Sequence, residues 1–274
     1  MASEPTTRDV TERSTSHCGG VASEPAAIEA TEVSKTYPGD VRALDRLSFR
    51  IERSEFVSVL GPSGCGKSTL LRIVAGLHAA DAGGAIHVLG EPTTRPRPQT
   101  GIVFQKDNLL PWLTVRANLR LAAEAQHMPR VQIEARSAEV LATLGLSTFA
   151  ERYPHELSGG MRQRAAFGQM LVLHPDVLLL DEPFGALDAL TRDRLNVELL
   201  RLWQVRQQTV LLITHSIAEA VFLSDRVLVM SERPGRIIAD LKIRCARPRD
   251  PQNTRASPEF TAHVLELSRM MGVV

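Results

Sequence analysis

Gly61-Pro62-Ser63-Gly64-Cys65-Gly66-Lys67-Ser68-Thr69 follows directly on the apolar run Phe56-Val57-Ser58-Val59-Leu60. A strand feeding a glycine-rich turn and then a helix is the setting of a phosphate-binding loop. In such a loop successive backbone N–H groups turn inward around a triphosphate, and glycines let the backbone approach its oxygens. Lys67 is placed to reach the β- and γ-phosphates, and Ser68 offers a hydroxyl to Mg²⁺. From Ser68 to about Leu77, the residues Leu70, Leu71, Val74 and Leu77 recur at helical spacing. That helix would aim its positive N-terminus at the same anion. So many constrained positions in this context argue against a chance Gly/Ser turn. A nucleoside triphosphate, cradled by Gly61 through Thr69, is the expected ligand.

Farther along, Val177-Leu178-Leu179-Leu180-Asp181-Glu182-Pro183 delivers two carboxylates at the end of a buried strand. Open α/β sheets place their ligands at that end. Asp181 suits the outer coordination of Mg²⁺, and Glu182 suits a general base that takes a proton from the attacking water. Standing alone, such a pair is more simply the acidic first turn of a helix. The phosphate loop upstream favours the catalytic reading.

Bulk properties are those of an enzyme subunit. The 274 residues allow one large domain or a domain with an inserted lobe. A net charge of +1 supplies no basic field for nucleic acid, so no nucleic-acid partner is expected. No apolar run approaches the roughly 18 residues of a membrane span. Cys18, Cys65 and Cys245 are too few and scattered for a disulfide framework or a zinc site, which fits a reducing cytoplasm. Residues 1–27 are rich in Ser, Thr and Glu, with Val10 and Val21 their only large aliphatic residues. They read as a disordered tail without the apolar core of a signal peptide.

The remainder, 28–274, reads as a single nucleotide-binding domain. Residues 28–33, 47–51 and 85–89 have the pattern of short antiparallel strands. Residues 101–104, 177–180, 210–214 and 227–230 are continuous apolar runs, as suits strands buried on both faces of a largely parallel sheet. Residues 114 to about 146 form one helical pattern stopped by Gly145, within an inserted helical lobe spanning about 107–165. At the C-terminus, Ser257 as N-cap and Pro258 at the first helical position start a helix over about 258–271. Phe260, Val264, Leu267 and Met271 share its core-facing side.

Leu157-Ser158-Gly159-Gly160-Met161-Arg162-Gln163-Arg164 opens a second anion-binding helix start, which one nucleotide does not need. These residues resemble the signature motif of the ATP-binding-cassette (ABC) ATPases. By that resemblance, Ser158, Gly159 and Gly160 complete the nucleotide site of a partner copy. Other family elements follow in order. Gln105 resembles the glutamine that senses Mg²⁺ and water while linking to the helical lobe, and Asp188, in Ala186-Leu187-Asp188, the loop at the dimer interface. His215 resembles the switch histidine that contacts the γ-phosphate. Tyr37 resembles the aromatic that stacks on adenine, with packing in the β lobe as its alternative. The implied fold is α/β: a P-loop NTPase (RecA-like) core with an antiparallel β subdomain and an inserted α-helical subdomain. The implied cofactors are ATP and Mg²⁺.

Phe184-Gly185-Ala186-Leu187-Asp188-Ala189-Leu190-Thr191-Arg192, Leu110-Pro111-Trp112-Leu113-Thr114-Val115 and Arg233-Pro234-Gly235-Arg236-Ile237 are similar to the nitrate/sulfonate/taurine importer branch. This implies a homodimeric ATPase on the cytoplasmic face of the inner membrane. Its implied partners are integral-membrane permease subunits and, indirectly, an extracytoplasmic solute-binding protein. Soluble cassette ATPases of translation or DNA repair, and exporter ATPases, are the alternatives. Two departures stand out. Met161 replaces the more usual glutamine, and Gly168 lies mid-helix, where glycine costs about 1 kcal/mol relative to alanine. The Cys65 thiol is expected beside bound phosphate and open to alkylation. Trp112 is either a permease contact or a filler of the lobe's core.

Overall fold

The computed structural model describes residues 25–185 and 187–273. Most of the expected N-terminal tail therefore lies outside the described residues. Its last part does not behave as a tail: Ala26 and Ala27 are buried, and the Ala27 N–H donates to the Ile51 carbonyl at 2.9 Å. Packing therefore reaches back before residue 28, since these small side chains fit under the first sheet.

That sheet has the order β2-β1-β4-β5 and is wholly antiparallel. It comprises β1 (Ile28–Tyr37), β2 (Val41–Ile51), β4 (Ala85–Val88) and β5 (Glu91–Pro92). A second sheet of six strands has the order β10-β9-β3-β8-β7-β6. Its members are β3 (Phe56–Leu60), β6 (Thr100–Val103), β7 (Val177–Asp181), β8 (Thr209–Ile213), β9 (Arg226–Met230) and β10 (Ile237–Lys242). All its pairings are parallel except β9 with β10. The expected continuous apolar strands are buried along nearly their whole length. Their side chains alternate between two cores. Val57, Val59, Leu179 and Leu211 join the one that also holds helix α1 (Lys67–Val74) and the first sheet. Phe56, Leu60, Leu178 and Leu212 join the other.

That other core is covered by helices α2 (Val115–Ala125), α3 (Arg130–Thr143), α4 (Gly159–Leu173), α5 (Ala189–Arg206), α6 (Ile217–Leu223) and α8 (Pro258–Met270), with α7 (Pro251–Arg255) beside α6 and α8. The single helical run expected from 114 to 146 is two helices. His127 adopts a left-handed φ of 55° and Pro129 caps α3, so the chain turns between them. Helix α4 packs on α2 and α3 but also reaches β6, which carries it past the expected edge of the lobe near 165. Gly168 has a packing role there. A Cβ would stand 3.0 Å from a Leu144 methyl, 3.2 Å from one of Val140 and 3.4 Å from one of Leu119. The three helices close to this distance because residue 168 has no side chain.

Strand β10 was not foreseen. It is an edge strand alternating between half-buried and exposed residues, so it lacks a continuous apolar run. The C-terminal helix packs as its pattern implies, with Phe260 and Leu267 buried against α6. No helix among the described residues is long and apolar enough to cross a membrane.

Candidate active site

Strands β3, β6 and β7 deliver the glycine-rich loop, Gln105 and the Asp181–Glu182 pair to one cleft, while His215, after the neighbouring β8, lines a smaller adjoining pocket that shares Glu182. After β3 comes the glycine-rich loop. Gly64 and Gly66 have φ of 77° and 109°, in the left-handed region that glycine tolerates. A Cβ on Gly66 would also press on the Ala43 carbonyl at 2.7 Å, so the loop is seated against β2. Lys67 is buried and donates from Nζ to the Gly61 and Pro62 carbonyls at 2.8 and 2.9 Å. Ser68 Oγ, one residue into α1, donates to Asp181 Oδ1 at the end of β7 at 3.0 Å. Burial pushes the Asp181 carboxyl above its usual range. The Ser68 hydrogen bond opposes that push and the Glu182 charge adds to it.

Glu182 has a left-handed φ of 45°, unusual for a residue with a side chain. Its N–H donates to the Ile213 carbonyl of β8 at 2.9 Å. This aims the carboxylate across the cleft, where Oε2 lies 3.2 Å from His215 Nδ1 and 3.5 Å from Gln105 Nε2. The cleft holds about 330 Å³, with Ser63, Thr69, Gln105, Asp181 and Glu182 on its walls. Among the described residues no cluster of three or more His, Cys, Asp or Glu side chains could hold a metal ion. What the cleft offers instead is the Ser68 hydroxyl, the Asp181 carboxylate and the Gln105 amide.

Tyr37 stands at the Thr69 end of the loop, its hydroxyl 3.3 Å from Thr69 Oγ1 and 3.1 Å from His78 Nδ1. Its ring meets His78 edge-on. Cys65 departs from expectation. It is only 1% exposed, with its sulfur turned into the core beneath Gly61 rather than toward the cleft. The Cys65 N–H donates to the Pro62 carbonyl at 3.3 Å.

Ser158, Gly159, Gly160 and Asp188 are not on the cleft's walls. Ser158 caps α4 by accepting from the Met161 N–H, and Asp188 caps α5 by accepting from the Thr191 N–H. The two caps are neighbours, since Gly160 faces Thr191 and Leu187. Arg162 ties α4 back toward Gln105, donating to Asp107 at 2.9 Å and to the Leu157 carbonyl at 2.8 Å.

Two residues escaped the sequence reading. Arg233, from the β9–β10 turn, forms part of the cleft wall. Asn118, buried on α2, bonds Leu110 through its N–H and carbonyl and also takes the Leu113 and Thr114 carbonyls. This staple holds the 110–114 turn so that Trp112 projects outward, 69% exposed, which removes the core-filling alternative. An asparagine between Ala117 and Leu119 in the expected helix was the only signal available in the sequence.

A family model described as ABC transporter matches residues 44–185. The taurine import ATP-binding protein TauB of Rhizobium johnstonii is 47% identical over 229 residues, covering 82% of this chain and 87% of its own. The nitrate import ATP-binding protein NrtD of Synechocystis sp. is 41% identical over 252 residues, covering 89% and 94%. A solved dimeric, post-hydrolysis structure of the ATP-binding cassette MJ0796, bound to ADP and Pi, superposes with a TM-score of 0.71 at 30% identity. That match covers 79% of this chain and 99% of the other.

Proposed function

Since the chain belongs to the ABC transporter family of ATPases, we propose that it is the ATP-hydrolysing subunit of an importer for a small oxoanionic solute, of the sulfonate or nitrate class. The observation that carries the catalytic part is the convergence of the phosphate loop, Asp181, Glu182 and Gln105 on one cleft, with His215 reaching Glu182 from the adjoining pocket. The relatives named for taurine and nitrate import support the solute class.

Inward-facing amides of the loop and Lys67 bind the β- and γ-phosphates of ATP. Ser68, Asp181 and Gln105 form a hard oxygen set of the kind Mg²⁺ takes together with phosphate and water. When bound there, Mg²⁺ neutralises charge that builds on the phosphate oxygens. Glu182 accepts the proton of the attacking water, a role worth about 10²–10⁴ in rate. His215 and Gln105, both against Glu182 Oε2, hold that carboxylate in place. Tyr37, next to Thr69, supports the adenine end.

Ser158, Gly159, Gly160 and Asp188 act on the nucleotide of a second copy. Their position off this chain's own cleft and the dimeric relative both support that reading. The outward Trp112 on its braced turn supports docking to a membrane permease, which would keep the ATPase at the cytoplasmic face of the inner membrane. An extracytoplasmic binding protein would then supply the solute.

Uptake of labelled taurine, alkanesulfonates and nitrate by a deletion strain tests the reading. Loss of one uptake, restored by the wild-type gene and not by Glu182→Gln, is the expected result. Normal uptake of all of them, with raised sensitivity to a toxic compound, would point to an exporter instead.

A further inference from the structure

Arg233-Pro234-Gly235-Arg236-Ile237 has so far served only as a mark of resemblance. In the structure it runs through the β9–β10 turn, and three constraints press that turn onto the phosphate loop. Gly235 sits so close that a Cβ there would fall on the Cys65 carbonyl and on the Met230 side chain. The Gly235 N–H donates to the Ala43 carbonyl at 2.9 Å, and the Asp45 N–H donates to the Gly235 carbonyl at 3.0 Å. Arg236 Nε donates to the buried Asp45 carboxylate at 2.6 Å. Clamped in this way, the turn carries Arg233 to the cleft, where its Nε donates to the Gly64 carbonyl at 3.2 Å. Among the described residues on the cleft wall, Lys67 and Arg233 are the only two cations. The terminal guanidinium nitrogens of Arg233 have no protein partner among the described residues.

We propose that Arg233 is a second cationic grip on the phosphate chain of bound ATP, delivered beside Lys67 by the β9–β10 turn. A guanidinium keeps its charge at any working pH and presents a planar fork that matches phosphate oxygens. Nε holds the Gly64 carbonyl and fixes the plane, while the free terminal nitrogens meet the anion. Both cations then stand on the loop that the phosphates occupy. The inference rests on the ATP-site reading above and adds a residue to it.

The test is calorimetric titration of the full-length protein with Mg·ATP, comparing wild type with Arg233→Ala, Arg233→Gln, Arg233→Lys and Lys67→Ala. A charge-assisted hydrogen bond at an exposed position corresponds to roughly a tenfold change in affinity. Arg233→Ala and Arg233→Gln should each weaken ATP binding about that much, with Arg233→Lys, which keeps the charge but not the fork, falling between them and wild type. KM for ATP should rise in step while kcat and the melting temperature of the nucleotide-free protein stay unchanged. Unaltered affinity in Arg233→Ala overturns the proposal. So does rescue by Arg233→Gln equal to that by Arg233→Lys, since Arg233 would then merely brace the Gly64 carbonyl. Lys67→Ala separates the two levels. If it abolishes binding while Arg233→Ala does not, only this inference fails. If neither changes binding, the ATP site itself has been misassigned.

Discussion

Replacing Glu182 by glutamine and by glycine separates its chemistry from its backbone. The φ of 45° places a residue with a Cβ in the left-handed region, which costs about 1–2 kcal/mol. Glycine removes that cost but loses about 0.5–1 kcal/mol through the greater freedom of its unfolded chain. Either substitution also removes the negative charge beside buried Asp181, so the wild type is the wrong reference. Compared with Glu182→Gln, that charge effect cancels. The amide's contact with half-exposed His215 is worth little. Glu182→Gly should therefore be more stable than Glu182→Gln by about 0.5–1 kcal/mol, or about 1–4 °C in melting temperature for a domain of this size. Both variants should lose about 10²–10⁴ in ATPase rate. Differential scanning calorimetry of the nucleotide-free proteins, with phosphate-release assays alongside, measures both quantities. A glycine variant that melts at or below the glutamine variant would refute the idea that Glu182 holds strain in exchange for its aim.

Three more outcomes follow from particular contacts. Glu182→Gln should elute as a dimer with ATP and a monomer with ADP, because bound ATP stabilises the paired form by mass action. Adding Ser158→Arg should return it to monomer without loss of nucleotide binding, and gel filtration with bound-nucleotide assay decides this. Trp112→Ala, outside the packed core, should leave basal ATPase and melting temperature unchanged while lowering solute uptake; a large drop in melting temperature would contradict the surface role. Gly168→Val should destabilise by about 1–3 kcal/mol in urea titration, since even its Cβ crowds Leu144, Val140 and Leu119.

What the sequence revealed was what short stretches encode by themselves. The phosphate loop was legible because its glycines, lysine and serine act through their own backbone and neighbours. Strands β7 and β8 were legible because burial on both faces leaves an uninterrupted apolar run. The direct Ser68–Asp181 and Glu182–His215 contacts were not legible, as each joins segments far apart in the chain; the motifs only put Ser68 and Asp181 around Mg²⁺, and the family pattern put His215 on the γ-phosphate. Features that depend on a neighbour's shape were not legible. The inward turn of Cys65, the closeness of three helices over Gly168 and the reach of Arg233 all arise from tertiary packing. Strand β10 and the break at 126–129 were missed for a different reason. An edge strand needs only half its side chains apolar, and one residue with left-handed φ interrupts a helix without changing its apolar spacing.

The order of strands in the six-stranded sheet also has a consequence for synthesis. β3, which launches the phosphate loop, lies between β8 and β9, whose residues 209–213 and 226–230 come late in the chain. A growing chain that has completed the loop, α1 and the whole helical lobe still has β3 unpaired along both edges. Its Phe56, Val57, Val59 and Leu60 must wait for partners from the last third of the protein. Unpaired apolar edges recruit other chains, and non-local parallel pairing is slow. Fragments truncated before residue 209 should therefore aggregate although they contain every residue of the phosphate loop, and the nascent chain should be prone to the same fate until β8 and β9 leave the ribosome.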